Sequence, residues 1–349
     1  MFKKVRSLFS GDIGIDLGTA NTLVYLCEHG IIINEPSVVA INKKTGRVVA
    51  VGTDAKNMLG RTPGHISAVH PLIDGVVSDF EVTEEMLTNL INKTRKISRK
   101  FGRPRVVVGV PSSVTNVEIR AVVDATKNAG AKEVYIIEEP MAAAIGIGLP
   151  VKEPVGNMII DIGGGTTDIA VISLGGIVNS KNMRIAGDKF NQDIISYIRD
   201  EFKILVGERS AEDIKIRVGA ISEGEELLEA PIRGRDLVTG LPREVIITEA
   251  DIREAIGPSI NTLIEAVKEV LETTPPEILS DVMKRGIILA GGGALIKGLD
   301  SLISDIVKIP VHVSGDPLSA VVRGTGIVLE NLDEYREVLV NYDDDAAPR

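Results

Sequence analysis

The chain has 349 residues, 39 of them basic and 49 acidic, so its formal charge is −10, and 44% of its residues are hydrophobic. That balance excludes a disordered chain and argues against a general nucleic-acid binder, which needs a basic surface. A single cysteine, Cys27, excludes a disulfide framework and a cysteine-rich metal site and fits a reducing cytosol. The length suits one large or two medium domains. The longest apolar stretch, around Met141–Val151, falls far short of the ~20 residues that span a bilayer. The first ten residues lack the apolar core of a signal peptide. The class left is a soluble, cytosolic, mixed α/β protein.

At the N-terminus, Phe2, Val5 and Phe9 recur at i, i+3 and i+7, with Leu8 beside them and Lys3, Lys4 and Arg6 on the flanks. That is the pattern of a short basic amphipathic helix, which lies on a membrane surface or docks on its own domain. The basic flanks favour the membrane. Ile13–Leu17 reads as a strand ending in a Gly-Thr turn, and Thr22–Leu26 as a second strand. Thr83 is placed to cap a helix whose Met86, Leu87, Leu90, Ile91, Thr94 and Ile97 share one face. Ser98–Gly102 is a basic loop around Phe101, a second candidate for membrane contact. Arg105–Val110 is a β-branched run stopped by Pro111. Thr115 with Glu118 three residues on predicts a capping box, and that helix stops at Gly130. Val134–Ile137 reads as a buried strand running into Glu138-Glu139-Pro140 and an alanine-rich helix.

The most informative feature is an internal repeat. Ile15–Thr22 lines up with Ile160–Thr167 at an offset of 145, and the register continues through Gly30 with Gly175, Ile32 with Ile177 and Asn34 with Asn179. Two similar α/β halves are implied, each opening strand–turn–strand, with their turns facing across a cleft. Glycine lets such a turn bend tightly and approach a ligand closely, and its exposed N–H groups can cradle phosphate oxygens. One copy alone could be a plain glycine-rich hairpin; two in equivalent positions favour phosphate binding. The GxxxxGK[ST] pattern is absent, as is GxGxxG after the first strand, so those nucleotide folds are not supported. Asp16 and Asp161 end the strands beside the turns. Carboxylates next to phosphates imply an intervening cation, and Mg²⁺, held through one or two carboxylates and water, fits. His29, His65, His70 and His312 are not at metal-ligand spacing and read as structural or surface residues. A third glycine cluster, Gly291-Gly292-Gly293 within Ile287–Gly298, offers a flat backbone surface for a planar base, with a helix starting near Ala294.

In this order, Asp16-Leu-Gly-Thr19, Asp161-Ile-Gly-Gly-Gly-Thr-Thr-Asp168 and Ala290-Gly-Gly-Gly-Ala294 resemble the phosphate-1, phosphate-2 and adenosine motifs of the actin, sugar-kinase and heat-shock-chaperone ATPase superfamily. Within it, Gly18–Leu23, Asn34–Ser37, Ala55–Met58, Arg61–Pro63, Glu138–Gly146 and Thr274–Glu277 resemble the MreB family of bacterial actin homologues. The likeness runs from Met1 to about residue 330. One departure is Asp168, where many members carry Glu.

The resemblance implies an α/β, actin-like ATPase fold: two duplicated domains, each with a core and a smaller subdomain, and nucleotide in the cleft between. It divides the chain into an anchor (1–10), a domain I core (11–39, 83–152 and 320–340) with subdomain 40–82, a domain II core (153–190 and 260–319) with subdomain 191–259, and an acidic tail (341–349). It implies that Thr19, Ala20, Asn21, Gly163, Gly164 and Gly165 hold phosphates, and that Gly291, Gly292, Gly293 and Ala294 lie against adenosine. Ala211, Glu212 and Lys215 would close over base and ribose. Glu139 would orient the attacking water, with Thr166 assisting; Glu138 is its rival. The function implied is slow ATP hydrolysis coupled to assembly of membrane-attached filaments of paired protofilaments that organise cell-wall synthesis and rod shape. The cofactors would be ATP/ADP and Mg²⁺. The partners would be the chain itself, anionic inner-membrane lipid and wall-elongation proteins such as MreC, MreD and RodZ, with no nucleic acid. A sugar kinase would need a sugar pocket, a chaperone ATPase a following substrate region, and a scaffold of the FtsA type would not hydrolyse ATP.

Overall fold

The computed structural model describes residues 11–100, 102–222 and 228–342. The expected anchor residues Phe2, Val5, Leu8 and Phe9, the candidate Phe101 and residues 343–349 lie outside the described residues. Two five-stranded sheets dominate the fold. In the first, Ile13–Leu17 pairs antiparallel with Asn21–Leu26, which pairs with Gly30–Pro36; on its other side it runs parallel to Arg105–Val110 and then Glu133–Glu138. The second repeats this plan with Asn157–Ile162, Thr167–Ser173 and Gly176–Met183, flanked by the parallel strands Ile287–Ala290 and Val311–Val313.

The offset of 145 is written into the pairing itself. Ile13 opposes Leu26 as Met158 opposes Val171, and Asp16 opposes Leu23 as Asp161 opposes Asp168. Gly30 and Gly175, matched by the repeat, both turn with positive φ (77° and 74°), where only glycine is free of Cβ strain.

The two halves meet along the helices Glu139–Ile147 and Ala320–Glu330. A Cβ at Gly146 would strike the Ala320 carbonyl, and one at Gly324 the Ala142 carbonyl, so small residues let these backbones touch. Around them Val107, Ile137, Ile159, Ala170 and Val328 form one apolar cluster drawn from both sheets. Each half also carries a small three-stranded sheet. One is Val39–Asn42 with Val48–Val51 and Ile66–Val69; the other is Glu229–Asp236 with Ile204–Leu205 and Pro242–Thr248.

The Thr115–Glu118 capping box is present: the Glu118 N–H donates to Thr115 Oγ1 at 3.3 Å, and the Thr115 N–H to Glu118 Oε2 at 2.7 Å. Thr83 is not a cap. The helix is Phe80–Ser98, and extended Asp79 caps it by accepting from the Val82 N–H at 3.1 Å. Thr83 is buried in the first turn, donating to Asp79 O at 2.7 Å. Near Ala294 the chain forms only a 3-10 turn, Gly292–Leu295; the α-helix begins at Leu299. Tyr342, expected in the tail, bonds to the sheet edge through its hydroxyl, 2.6 Å from Val134 O.

Candidate functional site

The two glycine turns stand against each other. A Cβ built on Gly164 would come within 2.6 Å of Ala20 Cβ, and one on Gly165 within 2.5 Å of Thr19 Oγ1. The halves therefore touch through the backbones expected to hold phosphate. The first turn is braced from its own domain. Ser37 Oγ donates to Gly18 O (2.6 Å), the Ser37 N–H donates to Ala20 O (3.0 Å), and the Gly75 N–H donates to Thr19 Oγ1 (2.8 Å). The second closes on itself, Gly163 N–H to Thr166 O at 2.9 Å. It is held by the start of the helix Gly187–Phe202, whose Gly187 and Asp188 N–H groups donate to Gly163 O and Gly164 O (3.1 and 2.8 Å).

Behind the turns lies a cluster of acids. Asp16 and Asp161 occupy equivalent strand ends beside Gly109 and Ala290, small neighbours that leave room next to the carboxylates. Glu139 enters where the strand Glu133–Glu138 becomes a helix led by Pro140, because proline is pre-set for the first helical turn. Glu139, Asp161, Thr166 and Asp168 are all buried. Burial pushes Asp16 up to about 7. Glu139 is driven well above the carboxylate range by burial and then by Asp16, Asp168 and Asp161. Asp161 rises through burial and then the charges of Asp16 and Asp168. Asp168 is raised by burial to about 6 despite bonds from the Ser112 N–H (2.7 Å) and Asn182 Nδ2 (3.0 Å). Glu138 is also raised, by burial and by Asp168.

Several carboxylates that disfavour one another's charge in a dry cleft need protons or a cation. The donor set fits Mg²⁺. Asp16 and Asp161 offer hard carboxylate oxygens at equivalent strand ends, which suits an ion held by one or two carboxylates and completed by water and phosphate oxygens.

Other sequence-derived residues take different places. Glu212, expected on the ribose, pairs with Lys56 of the opposite half at 2.8 Å, closing the cleft mouth. Lys215 Nζ donates to Gly187 O at 2.8 Å, and burial lowers its pKa although Asp188 and Glu212 oppose this. The Ala211 side chain is packed into the domain II core. Asn21 starts its strand, partly exposed. At the third glycine cluster a Cβ on Gly291 or Gly293 would strike Ile162, and one on exposed Gly292 would lie 3.3 Å from Leu318 Cδ2.

Sequence reasoning missed Asp188, pushed by burial to about 6 with Glu208 adding to it. It also gave no chemistry to Ser37 or to Gly75, whose Asp74-Gly75 dipeptide is a turn signal.

A duplicated pair of α/β halves, joined along two touching helices with two glycine turns set over buried acids, is the actin-like class of fold. Known proteins place the chain within that class. The sequence model described as MreB/Mbl protein matches residues 10–337, and the chain belongs to that family. It is 50% identical to the cell shape-determining protein Mbl of Bacillus subtilis over 327 residues, covering 94% of this chain and 98% of that one. It is likewise 50% identical to the cell shape-determining protein MreB of Escherichia coli over 339 residues, 96% and 98% of the two chains. MreB5 of Spiroplasma citri bound to ADP superposes with a TM-score of 0.89 at 39% identity, covering 94% of this chain and 99% of that one. A MamK double helical filament shares the fold, with a TM-score of 0.77 at 23% identity over 91% and 98% of the chains.

Proposed function

We propose that this chain binds ATP in its central cleft, hydrolyses it slowly, and assembles into filaments on the inner face of the cell membrane that organise wall synthesis. The observation that carries the reading is the apposition of the two glycine turns over Asp16 and the buried Glu139, Asp161 and Asp168. In support, Spiroplasma citri MreB5 is described bound to ADP and bound to AMPPNP.

In this reading the backbones of Thr19, Ala20, Asn21, Gly163, Gly164 and Gly165 hold the phosphates. Gly292 lies beneath the adenosine, and Lys215 closes the pocket. Mg²⁺, held by Asp16 and Asp161 through water, would supply neutralisation of phosphate charge. Such hydrolysis depends mainly on aiming a water in line and stabilising charge. Glu139, entering the cleft at the strand-to-helix junction, suits that role, since a positioned carboxylate can accept a proton from the attacking water. Thr166, buried in the second turn, helps to fix the water.

Exposed Val117, Val238, Leu241 and Met283, each more than half accessible, supply apolar surface for self-association. Residues 1–10 supply the membrane contact, with wall-elongation proteins as further partners.

The test separates binding from turnover. Glu139→Ala should bind fluorescent ATP within about threefold of the parent and release phosphate at least about tenfold more slowly, because grip and water positioning come from different residues. Equal loss of both would overturn the assignment. Electron microscopy with ATP and anionic liposomes checks the filament: parent protein that stays monomeric would refute it.

A further inference from the structure

One outer edge of the first sheet is the strand Glu133–Glu138, and an edge strand presents unpaired backbone groups. Here residues near the end of the chain meet them. The Val340 N–H donates to Ile136 O at 2.9 Å, and the Tyr342 hydroxyl donates to Val134 O at 2.6 Å. Two residues forward along this segment correspond to two residues back along the strand, so the chain runs against it toward Lys132. The Val340 and Tyr342 side chains also pack on the core cluster that includes Ile119, Val122 and Val123 of the helix Asn116–Asn128.

The surface ahead of that segment carries cations. Arg120 and Lys127 are two turns apart and so share one flank of the helix, and Lys132 comes just before the strand. The helix's other side meets the helix Phe80–Ser98, where Asn128 Nδ2 donates to Glu84 Oε2 at 2.8 Å. That leaves the flank of Arg120 and Lys127 toward the sheet edge. The residues that follow Tyr342 are Asp343, Asp344 and Asp345. Three extended residues reach about 10 Å, and the helix rises only about 10 Å from Arg120 to Lys127. Exposed Asp124 lies on the same helix and weakens the attraction, so salt should release the contact. Val117, one turn before Arg120, is 79% exposed. An apolar side chain beside cations suits a second copy of a chain whose net charge is −10.

We propose that Asp343, Asp344 and Asp345 bind back onto Arg120, Lys127 and Lys132 as an acidic strap, which restrains self-association through the Val117 face. Exposed ion pairs are individually weak, but the tether at Tyr342 holds the partners at high effective concentration. While docked, the strap occupies the cations that an acidic second copy would otherwise meet. The restraint rests on the reading of this chain as a filament former.

The strap and the restraint are tested separately. Full-length protein with Cys27→Ser and Ala346→Cys carries a nitroxide at position 346. At low salt its spectrum should be dominated by an immobilised component, which about 1 M salt should abolish because the Debye length falls to about 3 Å. Asp343→Asn, Asp344→Asn and Asp345→Asn, which leave the helix and sheet untouched, should free the label. Arg120→Gln, Lys127→Gln and Lys132→Gln together should free it too. Asp343→Lys, Asp344→Lys and Asp345→Lys combined with Arg120→Glu, Lys127→Glu and Lys132→Glu should immobilise it again. A label already mobile in the parent, or still held in the Asn variant, refutes the strap. For the restraint, pelleting with ATP is compared. If the strap is docked in about two-thirds of molecules, freeing it triples the competent fraction, and the Asn variant should assemble at about threefold lower concentration. Glu201→Gln, Glu272→Gln and Asp305→Asn remove the same charge from exposed sites of the second half and should not. Equal shifts in these two variants, or no shift in the Asn variant, refute the restraint. A parent that never pellets refutes the filament reading and the restraint with it, while the label still judges the strap.

Discussion

The two glycine turns share one pattern and are held in place differently. In the first half Thr19 and Ser37 brace the turn through side-chain bonds within that half; in the second the start of the helix Gly187–Phe202 does so with its free N–H groups. The deeper contrast lies one strand over. The position facing Asp16 is Leu23, whereas the position facing Asp161 is Asp168. The strand of the first half that ends in Glu138 delivers Glu139 to the cleft, whereas its counterpart Val311–Val313 runs on to Ser314. Binding geometry is what the halves share. The acids proposed for chemistry are where they differ.

The comparison breaks most completely at the contact between the turns. Gly164→Val puts branched carbon where Ala20 already stands, forcing the halves apart. Nucleotide binding should fall below detection in a fluorescent-ATP titration, whereas Ala20→Gly, which only removes a methyl from the same contact, should change affinity less than about threefold. A binding-competent Gly164→Val protein would mean that the halves part freely.

Making the second half resemble the first is the next largest change. Asp168→Leu removes the acceptor of the Ser112 N–H, a bond that crosses between halves, and leaves a buried donor worth about 1–3 kcal/mol unsatisfied. It also removes one of the charges that raise Glu139. Phosphate release should slow on the order of tenfold to a hundredfold through misplacement. The acid limb of its pH profile should move to lower pH. A slower enzyme with an unmoved profile would show that Asp168 acts only as a strut.

How much of this was legible in the sequence follows from the kind of interaction involved. Strand ends and the repeat were readable because Ile13–Leu17 and Asn157–Ile162 are nearly continuously buried apolar runs, each stopped at a glycine turn, as strands covered on both faces are. Asp161 was readable as an acid at a strand end beside glycine, and Glu139 only as an acid at a strand-to-helix junction before Pro140, its role coming from the family resemblance. The ion pair of Glu212 with Lys56 joins residues 156 apart, and no periodicity reports such a partner. Gly291 and Gly293 illustrate a second limit: a glycine needed for packing and a glycine needed for a ligand look the same in one sequence. Thr83 shows a third. The cap was placed at Thr83 because the apolar stripe was counted from Met86, yet the helix starts a turn earlier, Asp79 caps it, and Thr83 is buried in its first turn.

The acid cluster gives a smaller, pH-dependent effect. Asp16 at about 7 and Asp168 at about 6 bind protons in the folded state that the unfolded chain releases near pH 4. Their contribution to stability is full below about pH 4 and is lost as pH rises to about 7. Asp236 works in the opposite sense, since the Thr239 and Val238 amides hold it near 2, but it changes only below pH 4. Nucleotide-free protein should therefore lose thermal stability from pH 5 to 7.5. Asp161→Asn, with one fewer acid in the cluster, should flatten that slope while weakening Mg²⁺-dependent retention of ATP. A slope unchanged by the substitution would place its origin elsewhere.

The smallest expected effect is at the mouth of the cleft. Lys56 and Glu212 meet at 2.8 Å with side chains about a third exposed (32% and 28%), and such pairs contribute about 0–1 kcal/mol. The second pair across the cleft, Arg184 with Asp74 at 3.5 Å, has an arginine 74% exposed and contributes less. Breaking the first pair should speed nucleotide release by at most about fivefold, and high salt should erase the difference by screening it. Charge exchange distinguishes a latch from a ligand contact. If Glu212 serves only to hold Lys56, then Lys56→Ala and Glu212→Ala should have equal effects, and Lys56→Glu combined with Glu212→Lys should restore slow release in stopped-flow measurements. If Glu212 instead binds the ribose, its loss will exceed that of Lys56 and the exchange will fail, because a lysine cannot accept the hydrogen bonds that a carboxylate does.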